Sequence, residues 1–177
     1  MESAVPTQDV TIERAVPADA PAILALHRRV LEEGEWFITE PDELHEGVES
    51  KVAAIRDAQR TQHSAFFVAR RQHLLVGWVH AVGGGRRRTR HVARVEMMVD
   101  DRHRGIGVGT ALMRAVVAWA HQSSVVRKLS LNVFAHNTRA IALYRKFGFE
   151  EEGRREREYV FADGSFRADV LMAVWVK

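Results

Sequence analysis

Three alternating glycines, Gly105, Gly107 and Gly109, separate a short apolar stretch from an amphipathic one, and they constrain this chain more than any other feature. Val95-Glu-Met-Met-Val99 before them is largely apolar, β-branched at both ends and short enough for a buried strand. After them Leu112, Met113, Val116, Val117 and Ala120 recur at helical spacing. A strand, a bend cleared of Cβ atoms and a helix N-terminus therefore follow one another directly. Backbone N–H groups in such a bend approach an anion closely, and a helix start favours negative charge. The bend predicts a phosphorylated ligand. Two common phosphate motifs do not fit it. Thr110 stands where the dinucleotide fingerprint wants a third glycine, and no Lys lies in the turn for a P-loop. The plainer alternative is a tight strand-to-helix turn with incidental glycines.

Composition bounds the alternatives. A chain of 177 residues suits one domain, expected over residues 10–177 after a disordered leader of residues 1–9. The leader lacks the basic start and apolar centre of a signal peptide, and no apolar run approaches membrane-spanning length. The expected location is the cytoplasm, with no membrane partner. The absence of Cys excludes disulfides, a thiol nucleophile and thiolate metal sites. No two His residues are spaced i, i+4, so no metal is expected. The formal charge of +3 rests mainly on Arg. Arg86-Arg-Arg-Thr-Arg90 is not extended by an aromatic or basic stripe, so it reads as a solvated loop near the anionic ligand rather than a nucleic-acid surface.

Taken in order, residues 10–15 alternate as a first strand. Pro17 stops it, and Asp19 is placed to cap a helix through Ile23, Leu24, Leu26, Val30 and Leu31. Residues 32–43 mix carboxylates with Trp36 and Phe37, which suits either a wall for a cationic amine, with Glu35, or a helix connection burying two rings. A second helix is expected from about Asp42 to Arg60. Residues 64–69 and 74–82 read as an antiparallel hairpin, and 91–99 as the central strand. Residues 127–134 alternate as another strand, followed by a helix capped by Asn137 and ended by Gly148. A last hairpin pairs 157–161 with 168–176. The strand, helix and strand around the bend form a β-α-β unit, so 91–99 and 127–134 run parallel. The fold class is α/β, with a mixed sheet of six or seven strands and helices on both faces.

Two motifs carry a resemblance. Arg104-Gly-Ile-Gly-Val-Gly109 is an R-x-x-G-x-G loop. Asn137-Thr-Arg-Ala140, with Tyr144, Gly148 and Phe149 following, is an N-x-x-A-x-x-x-Y-x-x-x-G-F helix. In this order and at this separation they resemble the GNAT family of N-acetyltransferases over residues 10–177. The ending, Arg154 to Met172, and Phe37-Ile-Thr-Glu-Pro-Asp-Glu43 are similar to phosphinothricin-type and L-amino-acid N-acetyltransferases.

The resemblance implies a GNAT-like fold with splayed parallel strands 91–99 and 127–134, and acetyl-CoA as acyl donor without a metal. The pantetheine arm would lie against Met97, Met98 and Val99, with the Met98 N–H polarising the thioester carbonyl. Gly105, Ile106, Gly107, Val108, Gly109 and Thr110 would offer amides to the diphosphate, and Arg104 would add charge. Asn137 and Ala140 would hold the cofactor arm, and Tyr144 would protonate the leaving thiolate. The family has no universal base; Glu96 on the central strand is the candidate, against a plain pairing with an Arg. The expected reaction is direct acetyl transfer to the primary amine of a small molecule such as an amino acid. A peptide N-terminus and a silent acyl-CoA-binding module are the other readings. A homodimer is open, and nucleic acid is not an expected partner.

Overall fold

The computed structural model describes residues 10–176; the expected leader lies outside them. The elements are β1 (Val10–Arg14), α1 (Ala20–Leu31), α2 (Val48–Arg60), β2 (Ala65–Arg71), β3 (Leu74–Gly83), β4 (Val92–Val99), α3 (Val108–Gln122), β5 (Lys128–Phe134), α4 (Thr138–Lys146), β6 (Glu150–Val160) and β7 (Phe166–Trp175). The strands form one seven-stranded sheet in the order β1-β2-β3-β4-β5-β7-β6. All neighbours are antiparallel except β4 and β5.

Period-2 alternation within the strands divides the core between the two faces. Val95, Leu129, Leu131 and Val133 face α3 and α4, where Leu112, Met113, Val116, Ile141 and Tyr144 complete one cluster. Phe66, Val68, Trp78 and Met98 face the other way and meet Ile23, Leu26, Val30 and Ile55 of α1 and α2. Helices thus cover both faces, as the pattern required. The one parallel ladder is short. Val92, Ala93 and Arg94 pair with Lys128, Leu129 and Ser130, and no rung follows. Beyond Arg94 the two strands splay apart.

Three local expectations are corrected. The second helix starts at Val48, not near Asp42. Pro41 opens only a single 3-10 turn, Pro41–Glu43, in which the Glu43 carboxylate accepts from the Glu40 N–H at 2.9 Å, and Leu44 then leaves helical space at ψ 87°. β6 starts at Glu150, seven residues before the expected strand. It is an exposed edge strand rich in Glu and Arg, which keeps a sheet margin from pairing further and erases apolar alternation. Asp19 occupies the cap position of α1, but its carboxylate accepts from Val16 N–H at 2.9 Å and pairs with Arg70 instead of capping α1.

The arginine run is also displaced from its expected setting. Arg86 to Arg90 are exposed and precede β4, at the opposite end of that strand from the glycine bend. They are not beside the predicted anion site.

Candidate active site

The bend leaves β4 through Asp100, whose carboxylate is 1% exposed yet multiply paired. It accepts from Arg102 N–H and Nε at 3.1 Å and from Arg29 Nη2 at 2.7 Å. The Arg102 and Arg29 guanidiniums hold it well below the usual carboxylate range. Asp100 therefore ties the start of the bend to α1. Gly105 and Gly107 take φ +83° and +94°, a region that costs other residues strain, and Gly107 caps α3. None of the backbone N–H groups of residues 105–110 donates to a described residue. Six consecutive unpaired amides at a helix start make a concave donor surface suited to an anion.

The seam between β4 and β5 opens next to this surface. Asp100 N–H donates to Val76 O at 2.9 Å and Gly84 N–H to Val92 O at 3.2 Å, both across the β3–β4 register. His91 O instead accepts from Arg127 and Lys128 beside β5. Because backbone groups alternate along a strand, even-numbered residues of β4 address β3 and odd-numbered ones address β5. Met98, expected to aim its N–H into the seam, turns it to β3 opposite Trp78. Met97 and Val99 are the residues whose N–H and C=O groups face the seam.

Arg104 is already engaged. Its Nη1 and Nη2 each lie 2.6 Å from a Glu33 carboxylate oxygen, and its Nε donates to Val99 O at 3.1 Å. A second cation, which sequence reasoning missed, stands on the other side of the bend. A Cβ built on Gly105 would come within 3.4 Å of Arg139 Nη2. Its only signal was its place two residues after Asn137 in the second motif.

Asn137 caps α4, accepting from Ala140 N–H at 3.1 Å, so the Ala140 amide is satisfied and the Asn137 carboxamide N–H₂ has no described partner. Tyr144 lies almost two turns on, buried against Phe149 with ring centres 5.9 Å apart. Burial pushes the Tyr144 phenol up to about 12. Its hydroxyl bonds to no described residue.

Glu96 is on the opposite face of the sheet from Tyr144, in a cleft of ≈ 590 Å³ with His27, Phe37, Glu43, Glu46 and Lys51 among its walls. Solvent reaches Glu96, but it sits low between α1, α2 and the sheet. Desolvation is the main cause that raises its carboxyl; Lys51 pulls it down and Glu46 pushes it up. His27 and His80 are lowered to about 4, first by burial and then by Lys51, so both are neutral near pH 7. Lys51, unpredicted, is 7% exposed, donates to Glu46 and lies 5.6 Å from the Trp78 ring centre. Of the expected wall at residues 32–43, Phe37 and Glu43 line this cleft, whereas Glu35 and Trp36 do not. Glu35 is exposed. Trp36 instead donates to Glu33 at 2.9 Å and stacks on His136 at 5.7 Å. The acidic walls are Glu43, Glu46 and Glu96.

Among the described residues, no group of three or more His, Asp or Glu side chains is disposed to hold a metal. No helix there is long and apolar enough to cross a membrane.

An amide-lined bend thus lies at the end of a splayed parallel pair. Residues 29–149 match the profile of the acetyltransferase (GNAT) family, and the chain belongs to that family. The L-amino acid N-acetyltransferase AaaT of Escherichia coli (strain K12) is 37% identical over 88 residues, covering 50% of this chain and 54% of the relative. The aligned part thus spans about half the length of that relative. The acetyltransferase of GNAT family from Streptococcus pneumoniae superposes with a TM-score of 0.89 at 25% identity, over 96% of this chain and all of that one. A GNAT superfamily phosphinothricin acetyltransferase from Sinorhizobium meliloti, solved in complex with acetyl-CoA, gives 0.82 at 19% identity over 95% and 89% of the two chains.

Proposed function

We propose that the chain is an acetyl-CoA-dependent N-acetyltransferase acting on the primary amine of a small molecule, an amino acid or a related amine. The observation that carries this reading is the run of unpaired amides at residues 105–110 beside the open β4–β5 seam. The amides and Arg139 suit a diphosphate, and the seam offers an extended arm the backbone edge of Met97 and Val99. Bound acetyl-CoA supplies an acetyl group activated as a thioester.

The chain's own residues do the rest. Met97 N–H donates to the carbonyl oxygen that gains charge, in the manner of an oxyanion hole. Glu96, its proton affinity raised by its setting, takes the proton that leaves the acceptor amine neutral and nucleophilic. Tyr144 keeps its proton through the neutral range and offers it to the departing sulfur. Glu96 and Tyr144 lie on opposite faces of the sheet, so both reach one reaction only through the seam.

The identity to the L-amino acid relative supports the small acceptor, as do the three carboxylates of the cleft, which suit an ammonium group. Residues 10–177 acting as one domain, a cytoplasmic location and a homodimer belong to the same proposal. The test is thiol release from acetyl-CoA across the twenty L-amino acids, spermidine and an alanine-terminated tripeptide. Turnover with one or more amino acids is expected. Turnover with the tripeptide alone would move the assignment to peptide N-termini, and acetyl-CoA binding with no turnover would make the chain a silent binding module.

A further inference from the structure

Glu96 and Asn132 each stand two residues past the last β4–β5 rung, Arg94 with Ser130, and so flank the opened seam from either strand. Leu131 and Val133 point to the α3 core, so Asn132 points the other way, to the face that Glu96 shares with Met98. On β7, Asp169 pairs with Phe134 in the ladder and is the diagonal neighbour of Asn132 on that same face. Asn132 Nδ2 donates to Asp169 Oδ2 at 2.6 Å.

We propose, building on the acetyltransferase reading, that Asn132 is an amine-binding residue that accepts the second N–H of a primary acceptor amine opposite Glu96, with Asp169 as its positioning residue.

The chemistry of the pair fixes the orientation. A carboxylate only accepts, so the carboxamide turns its N–H₂ to Asp169 and keeps its Oδ1 as a spare acceptor. No described donor uses that oxygen. Asp169 is 1% exposed, whereas Asn132 is exposed, so the buried partner sets the geometry and the exposed one presents it. Arg155 Nη1, 3.6 Å from Asp169 Oδ2, and Tyr159, whose phenol is raised first by burial and then by Asp169, complete the surroundings of the carboxylate. A cross-strand lock is the competing explanation. The β5–β7 ladder already has seven rungs, from Lys128 with Trp175 to Phe134 with Asp169, and needs no side-chain bond to hold register.

A neutral primary amine has two N–H bonds and one lone pair. With one N–H toward Glu96 and one toward Asn132, the lone pair is left to form the C–N bond to the acetyl carbon as the C–S bond breaks. An N-methyl amine has a single N–H and cannot satisfy both acceptors. Asn132 therefore selects primary amines over their N-methyl analogues.

The experiment measures KM and kcat for the best L-amino acid of the panel and for its N-methyl derivative, in wild type, Asn132→Ala and Asn132→Ser. Serine keeps a hydroxyl for Asp169 but is too short to carry an acceptor to the position of Oδ1. Both variants are expected to raise the amine KM about tenfold, to leave the acetyl-CoA KM within about twofold, and to lose most of the preference for the primary amine. Asp169→Asn is expected to weaken the same preference, because a carboxamide at 169 donates as well as accepts and no longer fixes which way Asn132 turns. If Asn132→Ser keeps the wild-type amine KM and preference, the pair is only a lock and the proposal is overturned alone. If wild type transfers acetyl to no amine, the proposal falls together with the reading it rests on.

Discussion

On the α3 side of the sheet, residues 95–110 supply strand edge, bend and helix start in one continuous stretch, and the donors are backbone amides. On the α1 side, the cleft joins His27 of α1, Phe37 and Glu46 of the connection, Lys51 of α2 and Glu96 of β4, and the working groups are side chains. The first is a site made by local geometry, so glycine spacing suffices to encode it. The second depends on which face each element turns inward and on pairings between distant segments. Changes on the α3 side are therefore expected to act on cofactor binding and leaving-group chemistry, and changes on the α1 side on the acceptor.

The largest expected effect belongs to the α3 side. Tyr144→Phe keeps the ring against Phe149 and removes a hydroxyl that no described residue bonds. It should lower kcat about 10²-fold with little change in stability or acetyl-CoA affinity, as loss of a positioned acid does. The phenol at about 12 stays protonated across the assay range, so no basic limb of the wild-type profile should trace to it. An unaltered kcat would remove Tyr144 from the chemistry and leave it a packing residue. Gly107→Val comes next. A β-branched side chain at φ +94° costs about 1–2 kcal/mol. The same change distorts the amide surface, and isothermal titration should record acetyl-CoA affinity at least about tenfold weaker. A variant that binds normally would show that the bend is only a turn.

Glu96→Gln probes the α1 side. A carboxyl raised by desolvation accepts a proton only above its raised value, so wild-type kcat/KM should fall on the acid side of neutrality. The variant should lose about tenfold in kcat/KM near pH 7 and flatten that acid limb. His27 and His80, at about 4, stay neutral over the same range and leave the limb to Glu96 and the amine. An unchanged limb would assign the proton to solvent.

The unequal legibility of the two sides has a physical cause. The bend at Gly105 and Gly107, the Asn137 cap and the parallel pair are legible because each is fixed by spacing within one element or one turn. Even there the Met98 amide faces β3 and not the seam, since which edge of a strand an amide faces depends on the register with β3, not on the residue. Lys51, Arg139 and the Asn132–Asp169 pair carried no local signal, because their partners lie on other elements. Trp36 and Glu35 show the converse. Their composition suggested a substrate wall, but one hydrogen bond to Glu33 and one stack on His136 turn Trp36 elsewhere.

The smallest effect tests a contact that joins the two sides. Glu33, two residues past the end of α1, holds both terminal nitrogens of Arg104 in the bend, each at 2.6 Å. Both side chains are 24% exposed, and ion pairs in such settings contribute about 0–1 kcal/mol. Glu33→Gln should therefore leave the melting temperature nearly unchanged. Arg104 would keep its Nε bond to Val99 O and stay at the bend, and its charge, no longer neutralised by a carboxylate, would act on a diphosphate. Acetyl-CoA affinity should rise about two- to threefold at low salt, and the gain should shrink as ionic strength increases. Weaker binding instead would mean that Glu33 orients Arg104 for the ligand. The α1 connection would then be part of the cofactor seat, and the division between a backbone-made side and a side-chain-made side would have to be redrawn at this residue.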